Sequence, residues 1–431
     1  MTIVQITPGA GRMYCGNCLR DNALVAELRR MGHEALMVPL YLPLTLDEED
    51  QSAGTPIFFG GVNVYLDQKF AFFRRAPGWL HRWLNSPRLL AWAAGRAAKT
   101  RAAELGELTL SMLRGEAGNQ ARELDELIHW LARHNKPDVV CLSNALLIGL
   151  ARRLKHDLGC RVACMLSGED SFLDALPESH RAACWETIAE RATDVDWFLP
   201  PSRYFGDLMR ARLNFPAERI WVVPTGIKLD GFEVERRVTR KESQRAPVLG
   251  FFARMCPEKG LDTLVEAYIH LKNRGEVPRL KLYIGGSCGP GDEPFVKSLR
   301  KRLAAAGFIG EVAFFPNLSR AEKLEFLRGL SVFSVPAGYG EAFGLYVIEA
   351  MAAGVPVVQP RAAAFPELIE ATGGGVLCEP GDPVALANAI GLLLVDSAQA
   401  RKLGEAGRQA VFEKYSAEAM ATEVLRVFNG T

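Results

Sequence analysis

The 431-residue chain lacks most of the features that mark special classes of protein. No run approaches the roughly 18 consecutive apolar residues of a membrane span. There is no charge excess, since 51 basic residues stand against 50 acidic ones and the formal net charge is +1. A sequence-independent nucleic-acid binder needs a basic surplus, so no nucleic-acid partner is expected. The opening residues MTIVQITPGAGR carry no basic stretch followed by a long apolar run, so no secretory signal is expected. The nine cysteines are odd in number and scattered from Cys15 to Cys378. They read as reduced thiols of a cytoplasmic protein rather than a disulfide framework.

Metal and cofactor signatures are incomplete too. Cys15-Gly-Asn-Cys18 has no second C-x-x-C to complete a zinc site, which leaves redox or metal chemistry a minor reading. Gly9-Ala-Gly11 opens like a dinucleotide fingerprint, but Tyr14 stands where the third glycine belongs. His33-Glu34 lacks the second histidine of a zinc protease, and no G-x-x-x-x-G-K-[ST] loop occurs. A metal-independent protein with no required cofactor is expected.

What is present is a full globular composition, 48% hydrophobic and 23% charged. The length predicts two or three domains. Residues 2–7 read as a buried strand, 19–31 as an amphipathic helix ended by Gly32, and 34–39 as the next strand. This β–α–β alternation continues through Val139–Leu142, Val162–Leu166 and Trp197–Leu199 and predicts a parallel sheet covered by helices. Residues 57–65 look like a hairpin bent at Gly60 and Gly61. Residues 70–134 read as a helical insertion. With basic residues beside Trp79, Trp83 and Trp92, it reads either as an acceptor or peripheral membrane-surface site or as an ordinary helical pair packed on the sheet.

The polar stretch 226–246 is the best linker. It divides an N-terminal domain, 1–225, from a C-terminal one, 247–412, with 413–431 expected to fold back as a helix toward the first domain. After the linker the alternation restarts at 248–253, 280–286, 312–316, 331–336 and 355–360. The fold class is therefore α/β, with two Rossmann-like, doubly wound parallel-sheet domains.

Ligands of such sheets bind beyond the carboxyl ends of the strands. After strand 248–253, Arg254 and Lys259 bracket a strand-to-helix turn, which suits an anion such as a diphosphate; the other reading is two solvated charges. After strand 331–336, the loop Ala337-Gly-Tyr-Gly-Glu-Ala-Phe-Gly344 leads into a helix. Its glycines permit close approach, the helix start offers amides, and Glu341 and Glu349 flank them. A nucleotide-sugar carries hydroxyls at both ends and a diphosphate between, which matches that order. The bland alternative is a glycine-rich loop with two helix glutamates.

The run Glu341-Ala-Phe-Gly-Leu-Tyr-Val-Ile-Glu349-Ala-Met-Ala-Ala-Gly354-Val-Pro356 resembles the E-x7-E signature of family 4 glycosyltransferases of the GT-B superfamily. Arg254 and Lys259-Gly260 resemble the family's basic pair, and Val223-Pro-Thr-Gly226 and Gly374–Pro383 are similar to its flanking segments. Phe59-Gly-Gly-Val-Asn-Val-Tyr65 is similar to part of the glycogen and starch synthase branch. The resemblance implies a retaining transfer of a sugar from a UDP-, GDP- or ADP-sugar to a glycan, lipid or small-molecule acceptor, with two domains facing a central cleft.

It also implies roles. Arg254 and Lys259 would hold the leaving diphosphate, Glu349 the ribose, and Glu341 the transferred sugar. Phe343 and the amides of Gly344 and Leu345 would lie nearby, and Gly16 and Asn17 would approach from the first domain. Many relatives place a histidine after a middle strand of the first domain. Here Ser167-Gly-Glu169-Asp170 stands there, so Glu169 or Asp170 becomes the acceptor or sugar contact, or simply begins a loop. Alternatives are a sugar phosphorylase of similar fold and a non-catalytic nucleotide-sugar-binding scaffold. Donor, linkage and oligomeric state are not specified by the sequence.

Overall fold

The computed structural model describes residues 1–9, 16–44, 46, 48–60, 102–134, 136–233 and 246–430. The chain forms two compact units, one comprising Met1–Pro224 and Met420–Thr431, the other Thr225–Ala419.

The first unit is built on five parallel strands: β1 (Thr2–Thr7), β2 (Glu34–Pro39), β3 (Val139–Leu142), β4 (Arg161–Met165) and β5 (Trp197–Leu199), in the order β2-β1-β3-β4-β5. β3 is buried at every position, as expected for a strand covered on both faces. The helix Gly16–Arg30 follows β1 and contributes Leu24, Val25 and Leu28 to the core. The last described segment returns to this unit: Met420, Ala421, Val424, Val427 and Phe428 pack with Ile3, Leu28 and Met37, and the Phe428 ring lies 5.5 Å from that of Trp197.

The second unit has six parallel strands: β6 (Val248–Phe252), β7 (Lys281–Gly286), β8 (Val312–Pro316), β9 (Val332–Phe333), β10 (Val357–Pro360) and β11 (Gly375–Cys378). Their order is β11-β10-β9-β6-β7-β8. The chain winds outward through β7 and β8, then crosses to the other side of β6. The order therefore reverses between β6 and β9. The core runs from Leu249 and Phe251 through Val347, Met351 and Val358 to Ile390.

Some expected elements differ. Ile57–Gly60 form no strand; Phe58 and Phe59 are buried, and the Phe59 amide donates to the Leu40 carbonyl at 3.0 Å. Residues 61–65, the rest of that hairpin, lie outside the described residues, as do Trp79, Trp83 and Trp92 with the rest of residues 70–101 of the insertion, and residues 234–245 of the linker. The described part of the insertion is two helices, Ala102–Leu113 and Ala121–His134. The first packs against the helix Glu178–Arg191 and the second against Ala151–Leu158. β9 is two residues long, against the six expected: the Ser334 amide still donates to the Gly250 carbonyl of β6 at 2.9 Å, but the Val335 amide turns to the Gln359 side chain at 3.2 Å. Among the described residues no single helix is long and apolar enough to cross a membrane.

Candidate nucleotide-sugar site

The loops after β6 and β9 leave the sheet on either side of the reversal point, where a crevice opens at the strand ends. They are stitched together. The Gly338 amide donates to the Glu258 carbonyl at 3.2 Å. Gly260 has φ +69°, and a Cβ there would lie 1.9 Å from the Pro336 carbonyl oxygen, so only glycine allows the helix Leu261–Arg274 to start this close to the end of β9. Gly344, at φ +95°, plays the same part before the helix Leu345–Ala352 and packs against the Phe365 ring.

These constraints bring Lys259 and Glu341 together. The ammonium of Lys259 lies 2.7 Å from Glu341 Oε2, with the side chains 20% and 13% exposed. The hydroxyls of Tyr339 and Tyr346 donate to the same oxygen at 2.9 and 2.7 Å. Lys259 also donates to the Tyr339 hydroxyl, and it lies 4.7 and 5.1 Å from the centroids of the Tyr339 and Tyr346 rings. Burial alone would push the Glu341 carboxyl up. The charge of Lys259 and the three side-chain donors outweigh burial and hold it below the usual carboxylate value. The Tyr346 hydroxyl is driven well up by burial and by the Glu341 charge beside it.

Arg254 is placed differently. Its guanidinium pairs with Asp292 at 2.9 Å, from the loop after β7, while 62% of the side chain stays exposed. Asp292 is buried and also accepts from the Gly289 amide at 3.0 Å. Glu349 pairs with Lys323 at 2.8 Å. Each of these four signature charges thus meets an opposite or donor group: Lys259 is mostly buried, Arg254 is paired but largely exposed, and the two do not share a partner. Phe343 is buried and packs 5.9 Å from the Tyr415 ring, and Leu345 opens the helix.

Tyr339, Tyr346, Asp292 and Lys323 were not anticipated. Asp292 follows a strand and a Gly-Pro-Gly turn, so the rule that selected Arg254 could have found it. Ser319-x-x-Glu322 is a capping-box pattern that places Lys323 on a helix, but only the fold shows that it meets Glu349.

In the first unit, Gly16 and Asn17 open the helix Gly16–Arg30, whose first-turn amides have no intrahelical acceptors. Cys15, Tyr14 and Gly11 lie outside the described residues. Near the reversal between β1 and β3, buried Arg20 pairs with Asp21 at 2.8 Å and donates to the Ser143 carbonyl at 2.7 Å. Glu169 and Asp170 follow β4 and separate in role. Glu169 Oε1 accepts from the Ala145 amide at 2.9 Å and Oε2 from the Ser167 amide at 2.6 Å, so both oxygens tie loops together. Asp170 is buried too, but its Oδ1 has no hydrogen-bond partner among the described residues. Burial pushes both carboxyls up.

A parallel α/β unit with paired charges and a glycine-bent helix start at its reversal point defines a nucleotide-binding class of domain. The chain belongs to the family 4 glycosyltransferases, with the two-domain, Rossmann-like GT-B fold: residues 110–230 match the family described as Glycosyltransferase Family 4, and residues 233–410 match Glycosyl transferases group 1. A D-inositol 3-phosphate glycosyltransferase of Xylanimonas cellulosilytica is 31% identical over 49% of this chain and 51% of its own length. A GDP-mannose-dependent alpha-(1-6)-phosphatidylinositol monomannoside mannosyltransferase of Mycolicibacterium smegmatis is 25% identical over 66% of this chain and 74% of its own. The chain spans about half the length of several such relatives, 57% for the Mycobacterium tuberculosis counterpart. Among solved structures, sucrose-phosphate synthase from Thermosynechococcus elongatus superposes with a TM-score of 0.72 at 19% identity, covering 100% of this chain and 98% of that one. Anabaena HepE in complex with UDP gives 0.70 at 16%, with both chains covered completely.

Proposed function

We propose that the chain is a retaining, metal-independent glycosyltransferase that moves a sugar from a nucleotide-diphosphate sugar to a hydroxyl acceptor. The observation that carries this reading is the Lys259–Glu341 pair held by two tyrosines at the reversal point of the second sheet. Breaking the bond between the anomeric carbon and the diphosphate oxygen builds positive charge on the sugar and negative charge on the leaving group. Fixed cations and dipoles that already face the leaving oxygen stabilise that charge without reorganising. Arg254 and Lys259 take this role, and the amides of Gly344 and Leu345 add to it. Glu341 contacts the transferred sugar, Phe343 lines the donor pocket nearby, and Glu349 receives the ribose hydroxyls. The acceptor hydroxyl attacks on the face the diphosphate leaves, and its proton passes to the departing phosphate oxygen, which retains the anomeric configuration.

Gly16 and Asn17 offer helix-start amides to an anionic group, and Asp170 is the acceptor or sugar contact. The names of the inositol-phosphate and phosphatidylinositol relatives support a polyhydroxylated acceptor, free or lipid-linked. Thermal stabilisation by UDP, GDP and ADP identifies the base, because a ligand that binds only the folded state raises its melting temperature. Release of that diphosphate from its sugar conjugates, with and without inositol phosphates, then tests transfer. A protein stabilised by none of the three, or one that binds without turnover, overturns the proposal.

A further inference from the structure

We propose that Lys323 is a positioning residue for ribose: it holds Glu349 through Oε1 and thereby fixes the carboxylate oxygen that faces the diol. The proposal rests on the nucleotide-sugar reading of the second unit. The ammonium of Lys323 lies 2.8 Å from Glu349 Oε1, with side chains 5% and 18% exposed. A lysine this buried is rare unless paired, and here its partner is the second acid of the signature.

Both ends of the contact are anchored. Ser319 caps the helix Arg320–Arg328: its hydroxyl accepts from the Glu322 amide, and Glu322 Oε2 accepts from the Ser319 amide at 2.9 Å. That reciprocal cap sets where the helix starts, and Lys323 is its fourth residue. Glu349 sits in the helix Leu345–Ala352 beside Val347, Ile348, Ala350 and Met351, all buried. Its backbone therefore has little freedom, and the remaining freedom is rotation of the carboxylate. A cation on Oε1 removes that rotation and leaves Oε2 with its lone pairs for an outside donor. Two neighbouring ribose hydroxyls are donors of that kind.

The test compares affinities for ribose and 2′-deoxyribose nucleotides by calorimetry, using UDP, GDP and ADP and their 2′-deoxy forms. The wild-type protein is expected to prefer the ribose form by about tenfold or more, the discrimination typical of a hydrogen bond to a charged group. In Lys323→Met the preference falls below about threefold, and Lys323→Arg restores most of it. A general structural role would weaken both forms equally and leave the ratio unchanged, which overturns the inference. Where Lys323→Met does not fold, Lys323→Met/Glu349→Gln, which carries no stranded charge, is compared with Glu349→Gln alone. Ratios that agree within about twofold support action through Glu349, and ratios that differ overturn it. A wild-type protein that binds none of the nucleotides overturns the parent reading. One that keeps its preference in Lys323→Met overturns only this inference.

Discussion

Lys259 and Glu341 stand 82 positions apart in the sequence yet share a 2.7 Å hydrogen bond, because the loops that carry them leave adjacent strands on either side of the sheet's reversal point. Neither charge is spare. Removing the lysine strands a mostly buried carboxylate, and such losses cost about 3–5 kcal/mol. Lys259→Met is expected to lower turnover by about 10²-fold or more, the usual effect of losing one preorganised donor to a leaving group. It should also lower the melting temperature. Activity assays and thermal denaturation of the variant check both effects.

The tyrosines make a claim about pH. Glu341 titrates below its ordinary value, so its contribution to stability is complete above roughly pH 4.3 and fades as pH falls through the depressed value. Tyr346→Phe removes one donor to the ionised form and moves that value back up. The acid limb of the pH–rate profile should then shift to higher pH, with the acid unfolding transition moving the same way. Profiles of the two proteins measured side by side decide it, and superimposable acid limbs contradict the assignment.

Arg254 offers a second test. Its pair with Asp292 joins a guanidinium that is 62% exposed to a buried carboxylate, which keeps the Gly289 amide as a donor. Arg254→Ala leaves the buried Asp292 carboxylate without its guanidinium, at about 1–3 kcal/mol of stability, and should remove most transfer activity. Urea unfolding and a transfer assay separate the two quantities.

Gly260→Ala should be severe for a reason unrelated to chemistry. Its new Cβ would fall 1.9 Å from the Pro336 oxygen at a positive φ, so both loops must move. Backbone strain of this kind costs of order 1–3 kcal/mol before any clash is counted. Denaturant midpoints measure the loss, and nucleotide affinity should fall with it.

Glu169 and Asp170, adjacent in sequence, should separate cleanly. Glu169→Ala leaves the buried Ala145 amide without its acceptor, at about 1–3 kcal/mol, and frees the part-buried Ser167 amide as well, so it should destabilise the protein. Asp170→Asn should leave the melting temperature nearly unchanged and raise KM for the acceptor. Calorimetry and acceptor titrations of the two variants report this directly.

The strands and the two charged loops were legible because buried parallel strands read as continuous apolar runs, and the loops lie directly after them. Arg254, Lys259, Glu341 and Glu349 were found by that rule. Of their partners, Asp292 lay within reach of the same rule, while Lys323 and Tyr346 gain meaning only from packing that joins separate segments. Glu169 was legible as a polar residue after β4, but its work on the Ala145 and Ser167 amides needed coordinates. The short β9 escaped because Val335 and Pro336 keep a strand-like composition after the ladder has ended.

The return of Met420–Phe428 to the core of the first unit bears on how the protein comes off the ribosome. The part made first is the part that waits: residues 1–224 lack the side chains that cover Ile3, Leu28 and Met37 until the chain through Phe428 has emerged. Meanwhile the second unit holds its own strands and can fold as a block. The core of the first unit is thus completed only by the segment Met420–Phe428.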